Sequence, residues 1–246
     1  SDTFIAIAGA TSNSIAGLRP IRVQRGEIVH IGHVAKGCRG YLAVAGGIRV
    51  PSVLNSYSTY VPAKLGGYSG RPLQAGDQLC LGEPLVTSFS PTWSLSNTVV
   101  PLPLSPCTLR ILPEGSFSAA HRAITSRPMK VTAQSDRMGI RFDGSLPSLP
   151  ATSLSRAVLP GTIQLPPDGK PILLLCDAQT IGGYPVLGQL IAADLPRAAQ
   201  LRPGDTVCFS MTSLAEAHRL LRHQHDVLAT VQQGITHTLD FTEKAE

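Results

Sequence analysis

Short apolar runs, each closed by glycine, proline or a polar turn, recur along the chain and predict many short strands. The clearest is Pro171-Ile172-Leu173-Leu174-Leu175, which drives into Cys176-Asp177-Ala178-Gln179-Thr180-Ile181-Gly182-Gly183-Tyr184-Pro185. A second apolar run, Val186-Leu187, leaves it. Strand propensity that ends at paired glycines marks a buried strand stopping at a turn that needs backbone freedom. A carboxylate, an amide, a hydroxyl and a tyrosine stand at that turn, where burial is costly unless each finds a partner. They form either a polar-capped turn or the rim of a pocket.

Other runs follow the same grammar. Phe4-Ile5-Ala6-Ile7-Ala8-Gly9 is a strand at the very start, as in one part of something longer. Pro20–Val23 and Ile28–Gly32 read as a hairpin around Arg25-Gly26-Glu27, and Tyr41–Ile48 as a buried strand running into Gly46-Gly47. A Gly, Ser and Tyr-rich loop follows, and then Leu73-Gln74-Ala75-Gly76-Asp77-Gln78-Leu79. That last segment recurs as Leu201-Arg202-Pro203-Gly204-Asp205-Thr206-Val207. The degenerate repeat implies two similarly built β halves, residues 1–104 and 105–246. A Ser, Thr and Pro-rich connection at 87–106, holding Trp93, joins them.

In the second half the pattern predicts strands at Thr108–Pro113 and Met129–Thr132 and a short helix around Phe117–Thr125. Residues 143–156 read as a loop. Thr162–Pro171 reads as a hairpin turned by Pro167-Asp168-Gly169. Ser213-Leu214-Ala215-Glu216 is a capping box opening a helix, with Leu214, Ala217, Leu221, Leu228 and Val231 at helical spacing. This helix is expected to pack on the β core and to fray after Gly234.

Composition narrows the class. Hydrophobic content of 43% and charged content of 15% in 246 residues are those of a globular chain able to bury a large core. The formal net charge of +5 rests on 21 Lys+Arg, mostly arginines scattered singly, so no nucleic-acid groove is expected. The five cysteines, Cys38, Cys80, Cys107, Cys176 and Cys208, are odd in number and flanked by apolar residues. They read as buried thiols in a reducing, cytoplasmic compartment. Thr3–Ala10 is too short to span a membrane, and no membrane partner is expected.

Several chemistries drop out. There is no Walker loop and no GxGxxG, so ATP chemistry is not expected to reside in this chain. Gly67-Tyr68-Ser69-Gly70 is followed by Arg71 where a nucleophile elbow needs glycine. The seven histidines lack metal-ligand spacing: His30 and His33 would face opposite sides of a strand, and His218 and His225 share only a solvated helix face. Met129-Lys130 lacks the flanks of a biotinylation hairpin, so no covalent cofactor is expected.

The best constellation is Gln134-Ser135-Asp136-Arg137-Met138-Gly139-Ile140-Arg141. In extended chain Gln134 and Asp136 face the same way. A primary amide beside a carboxylate can hold both ends of a urea or lactam group, donating to its C=O and accepting from its N–H. The same residues also suit a surface turn with an Asp–Arg pair.

Together with Tyr41–Ile48, Ser58-Thr59-Tyr60, Leu65-Gly66-Gly67, Pro160–Gly169 and Asp177–Pro185, this constellation resembles the biotin-dependent carboxyltransferase family, to which the C subunit of 5-oxoprolinase belongs. That family is also called allophanate hydrolase subunit 2 and includes the sporulation kinase-inhibitor antagonist. The motifs fall in order over nearly the whole chain. The resemblance implies a mainly β fold of two cyclophilin-like β-barrel halves with a C-terminal helix. It also implies a further segment, with a Thr…Gln-Asp…Gly-Arg motif, ahead of the strand at Phe4.

As activity it implies the C component of an ATP-dependent 5-oxoprolinase, opening 5-oxoproline to glutamate. The alternatives are carboxyl transfer from carboxybiotin to urea or a similar amide, and non-catalytic binding of a kinase-inhibitor-type protein. Allophanate hydrolysis itself ranks low, since no amidase Ser-Ser-Lys signature is visible. The implied partner is a companion B-type or kinase-inhibitor-type subunit, with ATP or carboxybiotin supplied by partner subunits. Gln134 and Asp136 match the catalytic motif, while Arg137, Gln179 and Tyr184 are expected to bind substrate. Asp177 is expected to be structural, in the closing wall of the site.

Overall fold

The computed structural model describes residues 2–15, 17–83, 93–96, 99, 102, 105–150 and 154–243. Most of the segment expected to connect the two halves, and the boundary at 104, lie outside the described residues.

The chain opens with strands β1 (Thr3–Ser12), β2 (Ile21–Val23) and β3 (Val34–Val44), joined as a three-stranded antiparallel sheet in the order β2-β1-β3. Ile5, Ile7 and Ala10 of β1 are buried, whereas β3 is exposed along most of its length. Two expectations are corrected here. Ile21–Val23 pairs with Thr3–Ile5 of β1 and not with Ile28–Ile31. The long β1 offers a partner running the full strand, and Ile28 is left 75% exposed. Tyr41–Val44 is a strand, but it forms a sheet edge and leaves Tyr41 62% exposed.

The two Gly-Asp segments fold as matching turns. Gln74 N–H donates to an Asp77 carboxylate oxygen at 2.7 Å, and Asp77 N–H donates back to Gln74 C=O at 3.1 Å. Arg202 and Asp205 make the same two bonds at 2.8 and 3.0 Å. A third copy stands at Gln24 and Glu27, at 2.8 and 3.0 Å. The glycine before each acid has φ between 83° and 92°, the left-handed region that glycine enters freely.

In the first half Arg71 grips Asp77 through two bonds of 2.7 Å, which hold its carboxyl down at about 2, below the usual 3.8. Because the folded-state value is depressed, this contribution is fully present above about pH 4 and fades as pH falls through 2. Asp77→Asn is therefore expected to lower Tm at pH 6 and to converge with the parent near pH 2, as thermal scans across that range would report.

The remainder of the chain builds β4 (Cys107–Pro113), helix α1 (Ala119–Ser126), β5 (Met129–Lys130) and β6 (Gly139–Arg141). Then come β7 (Arg156–Ala157), β8 (Thr162–Gln164), β9 (Ile172–Leu174), β10 (Ile181–Gly182) and β11 (Val186–Leu190). Helix α2 (Leu195–Ala198), β12 (Thr206–Met211) and helix α3 (Leu214–Glu243) complete it. Seven strands form one sheet in the order β5-β12-β4-β11-β8-β9-β6. Its two edges meet: Val131 bridges Phe142, Thr132 N–H donates to Arg141 C=O, and Asp143 N–H donates to Lys130 C=O, both at 2.9 Å. The sheet thereby curls shut as a barrel, and a closed barrel has no free edge.

Leu109, Ile111, Phe142, Ile163, Leu173 and Leu187 are fully buried inside the barrel, and Phe142 packs edge-to-face on Phe209 at 5.2 Å. Helix α1 packs Ala120, His121 and Ile124 inward, within two residues of the predicted bounds. His121 is 1% exposed. Ser118 N–H donates to its Nδ1 at 3.0 Å, which leaves Nε2–H to donate to Leu187 C=O at 2.7 Å.

Helix α3 begins as expected, with Glu216 N–H donating to Ser213 Oγ at 3.2 Å. The Glu216 carboxylate pairs with Arg219 in two bonds of 2.7 Å, where the capping box placed it on the helix start. Ala217 is buried, but Leu214 and Leu228 are 58% and 50% exposed, so packing on the β core is confined to the first turns. The helix runs on through Gly234 where fraying was expected.

Gln200, 5% exposed, ties the first sheet to the barrel. Its Oε1 accepts from Cys38 and Arg39 N–H at 2.8 and 2.9 Å, and its Nε2 donates to Arg39 C=O at 2.8 Å. Arg39 adds a bond from Nη1 to Ala199 C=O. Among the described residues no helix is long and apolar enough to cross a membrane.

Candidate substrate pocket

The stretch after β9 lines a pocket of about 470 Å³ that is open to the surface. Its walls are Tyr60, from the first half, and the continuous segment Cys176 to Ile181. The chain can leave the barrel here because Leu173, Leu174 and Leu175 are buried while Cys176 is already exposed. Both readings of this turn have a counterpart in the structure: its residues border the pocket, and Ala178 N–H closes the turn on Leu175 C=O at 3.1 Å.

The turn 132–139, between β5 and β6, abuts that segment. Leu175 N–H donates to Met138 C=O at 2.9 Å and Asp177 N–H to Arg137 C=O at 3.3 Å. Arg137 Nε and Nη2 then clasp the Asp177 carboxylate at 2.6 and 3.2 Å. These bonds hold the Asp177 carboxyl below its ordinary range and raise Arg137 above its own. The pairing fits the expectation that Asp177 is structural, and it occupies one edge of the Arg137 guanidinium.

Asp136 is exposed, and its Oδ1 accepts from Met138 N–H at 2.8 Å and Gly139 N–H at 3.1 Å. One carboxylate oxygen thus caps the turn, and Oδ2 takes no hydrogen bond from a described residue. Arg39 reaches the same turn, donating from Nη2 to Asp136 C=O at 3.4 Å. Gln134 is exposed on the same turn, beside Ser135, whose Oγ accepts from Arg141 N–H at 3.0 Å. Neither Gln134 nor Asp136 lines the cavity itself.

Gln179 does line it, and its Nε2 donates to Gln164 Oε1 at 3.4 Å. Tyr184 is 47% exposed and lies outside the lining. The structure therefore brings Gln179, Asp177 and the Gln134–Arg137 turn together, with Tyr184 beyond the wall. Tyr60 and Gln164 escaped site assignment from sequence. Tyr60 sits in the Ser58-Thr59-Tyr60 motif, so a signal for it was present. Gln164 read only as one residue of a hairpin strand.

Cys107 is buried as expected, and burial pushes its thiol up to about 11. Cys38, Cys80 and Cys176 are exposed, which corrects the expectation of buried thiols. Cys38 is in the outward-facing β3, and Cys80 and Cys176 stand in loops where flanking apolar residues do not enclose them.

The chain has counterparts in sequence and in fold. The chain belongs to the family described as carboxyltransferase domain, subdomain A and B, which it matches over residues 1–211. It is 38% identical over 244 residues to a 5-oxoprolinase C subunit of Haemophilus influenzae, a match over 94% of this chain and 77% of the relative. An Escherichia coli 5-oxoprolinase C subunit is 36% identical over 238 residues, covering 91% and 74%. Among solved structures, the K. lactis urea amidolyase superposes with a TM-score of 0.81 at 28% identity, over 92% of this chain and 15% of the other. The Kluyveromyces lactis urea carboxylase gives 0.77 at 30% identity, over 92% and 23%.

Proposed function

We propose that this chain acts as the C-type subunit of an ATP-dependent 5-oxoprolinase, opening the lactam of 5-oxoproline to glutamate. The observation that carries the reading is the likeness, at 36–38% identity, to two bacterial 5-oxoprolinase C subunits, each matched over about three quarters of its length. The cavity supports it: about 470 Å³ is roomy for a five-membered lactam. Gln179 supplies an amide on the wall, and Asp136 on the adjoining turn a carboxylate oxygen without a hydrogen-bond donor among the described residues. In this reading Gln134 and Asp136 handle the scissile amide, Arg137, Gln179 and Tyr184 orient the substrate, and ATP is brought by companion subunits. On the proposed division into halves 1–104 and 105–246, the pocket draws Tyr60 from the first and Cys176 to Ile181 from the second.

Carboxyl transfer from carboxybiotin to urea or a similar amide is the second reading, favoured by the superposition on urea amidolyase and urea carboxylase. Reconstitution with a companion B-type and A-type subunit separates the two. The proposal expects ATP-dependent release of glutamate from 5-oxoproline, with no transfer of labelled CO₂ from carboxybiotin. Labelled transfer without glutamate release would reverse the assignment.

A further inference from the structure

Behind the pocket wall lies a buried amide that the proposed chemistry does not use. Gln164 projects from β8, is 1% exposed and is absent from the cavity lining. Its Oε1 accepts from Gln179 Nε2 at 3.4 Å, while its own Nε2 is buried with no hydrogen-bond partner among the described residues. Gly182 of β10 lies against that nitrogen, since a Cβ at 182 would come within 2.4 Å of it. The fold thus reserves a side-chain-free position for a group whose unpaired donor works against folding. An apolar side chain of the same shape would avoid that cost, so the retained amide calls for another role.

We infer that Gln164 is a positioning residue for substrate recognition, fixing Gln179 so that its Oε1 faces the bound amide as a hydrogen-bond acceptor. The inference rests on the reading of this cavity as the substrate site. A primary amide offers two donors on nitrogen and an acceptor on oxygen. With one Nε2 hydrogen turned back to Gln164, the Gln179 carbonyl has no partner among the described residues and is the acceptor it offers to a ligand. A carbonyl at that point accepts from an N–H, so the site selects lactams and amides that carry one. N-alkylated analogues present a methyl group to the same oxygen and are rejected.

The test compares wild type, Gln164→Met and Gly182→Ala in the assembled complex. Affinity for 5-oxoproline and N-methyl-5-oxoproline is measured by calorimetry, kinetics by glutamate release, and Tm in parallel. Gln164→Met keeps the volume and removes both the acceptor and the orphaned donor. It is expected to leave Tm unchanged or higher, and to raise the Kd and KM for 5-oxoproline about tenfold with kcat retained, the loss of one hydrogen bond. Gly182→Ala, which presses on the Gln164 amide from the other side, is expected to weaken 5-oxoproline binding likewise. Wild type is expected to bind the N-methyl analogue at least tenfold more weakly than 5-oxoproline, and Gln164→Met to narrow that gap.

A lowered Tm with unchanged affinity in Gln164→Met would make Gln164 purely structural and overturn the inference. Equal affinity of wild type for the two lactams would do the same. Should wild type neither bind nor cleave 5-oxoproline, the functional reading fails separately. The orientation of Gln179 is then read from its side-chain amide protons by nuclear magnetic resonance. Slow exchange of one Nε2 proton in wild type, lost in Gln164→Met, supports the positioning role, and identical exchange in both refutes it.

Discussion

Asp194→Ala is expected to destabilise the protein by about 3–5 kcal/mol, the cost of leaving a buried charge partner unpaired. The Asp194 side chain has no exposure. Its carboxylate accepts from Arg110 N–H at 2.9 Å, from Arg110 Nε at 2.9 Å and from Nη2 at 2.6 Å, with Arg197 at 3.4 Å. Arg110 belongs to β4 and Asp194 to the short turn before α2, so the pair fastens the α2 connection to a central strand. Truncation abandons a guanidinium that is only 25% exposed. Urea unfolding is expected to show a lower midpoint at an unchanged m value. Arg110→Met combined with Asp194→Leu removes both charges and is expected to recover much of the loss. A double variant no better than Asp194→Ala would mean that packing, not charge, governs this corner.

Asp136→Asn is expected to lower 5-oxoproline turnover about 100-fold or more, the usual scale for removing a general acid or base. Asparagine keeps the oxygen that accepts from Met138 and Gly139 N–H, so the turn stays capped. Only the charge at the second oxygen is lost. Asp136→Ala removes the cap as well, and is expected to lose both turnover and local order around 134–139. If Asp136→Asn turns over like wild type while Asp136→Ala does not, the carboxylate is a turn cap and the catalytic assignment fails. Hydrogen exchange at Met138 and Gly139 N–H reports on the cap independently of activity.

Much of the barrel was legible because its strands carry local signatures. Leu173–Leu175 is apolar throughout and buried throughout, and Pro167-Asp168-Gly169 turns β8 into β9 as its composition predicts. The paired turns at Asp77 and Asp205 were legible because glycine and an acid at fixed spacing specify one hydrogen-bond pattern. Pairing partners were less so. Ile28–Ile31 alternates like a strand, but whether Ile21–Val23 pairs with it or with β1 depends on which long-range partner is available.

The site divided in the same way. Gln134 and Asp136 stood out as an amide and a carboxylate two residues apart in extended chain, and Gln179 as a polar group at a turn. The structure sets Gln134 and Asp136 on a turn instead and brings it against the Gln179 segment. Gln164 did not, because Ile163 and Leu165 face the core, and nothing local separates an outward polar residue covered by another strand from one facing water. Its burial arises from Gly182 of β10 and Gln179 lying against it. The exposed Cys38 makes the converse point. Apolar neighbours in sequence suggest a buried thiol, yet burial needs a second layer over that face of β3.

One contact in the barrel governs the order of assembly. Strand β12 lies parallel to β4, Val207 to Met211 beside Cys107 to Ile111, whereas the other neighbouring pairs of this sheet are antiparallel. The two strands are separated by about a hundred residues of chain. A ribosome adding roughly 5–20 residues per second leaves β4 waiting about 5–20 s for that neighbour. Until then one flank of β4 presents unpaired N–H and C=O groups, and Leu109 and Ile111 lack part of their cover. Such non-local pairing makes barrel closure the slow step. Nascent chains arrested before residue 206 are therefore the form most open to chaperone capture and strand-edge association.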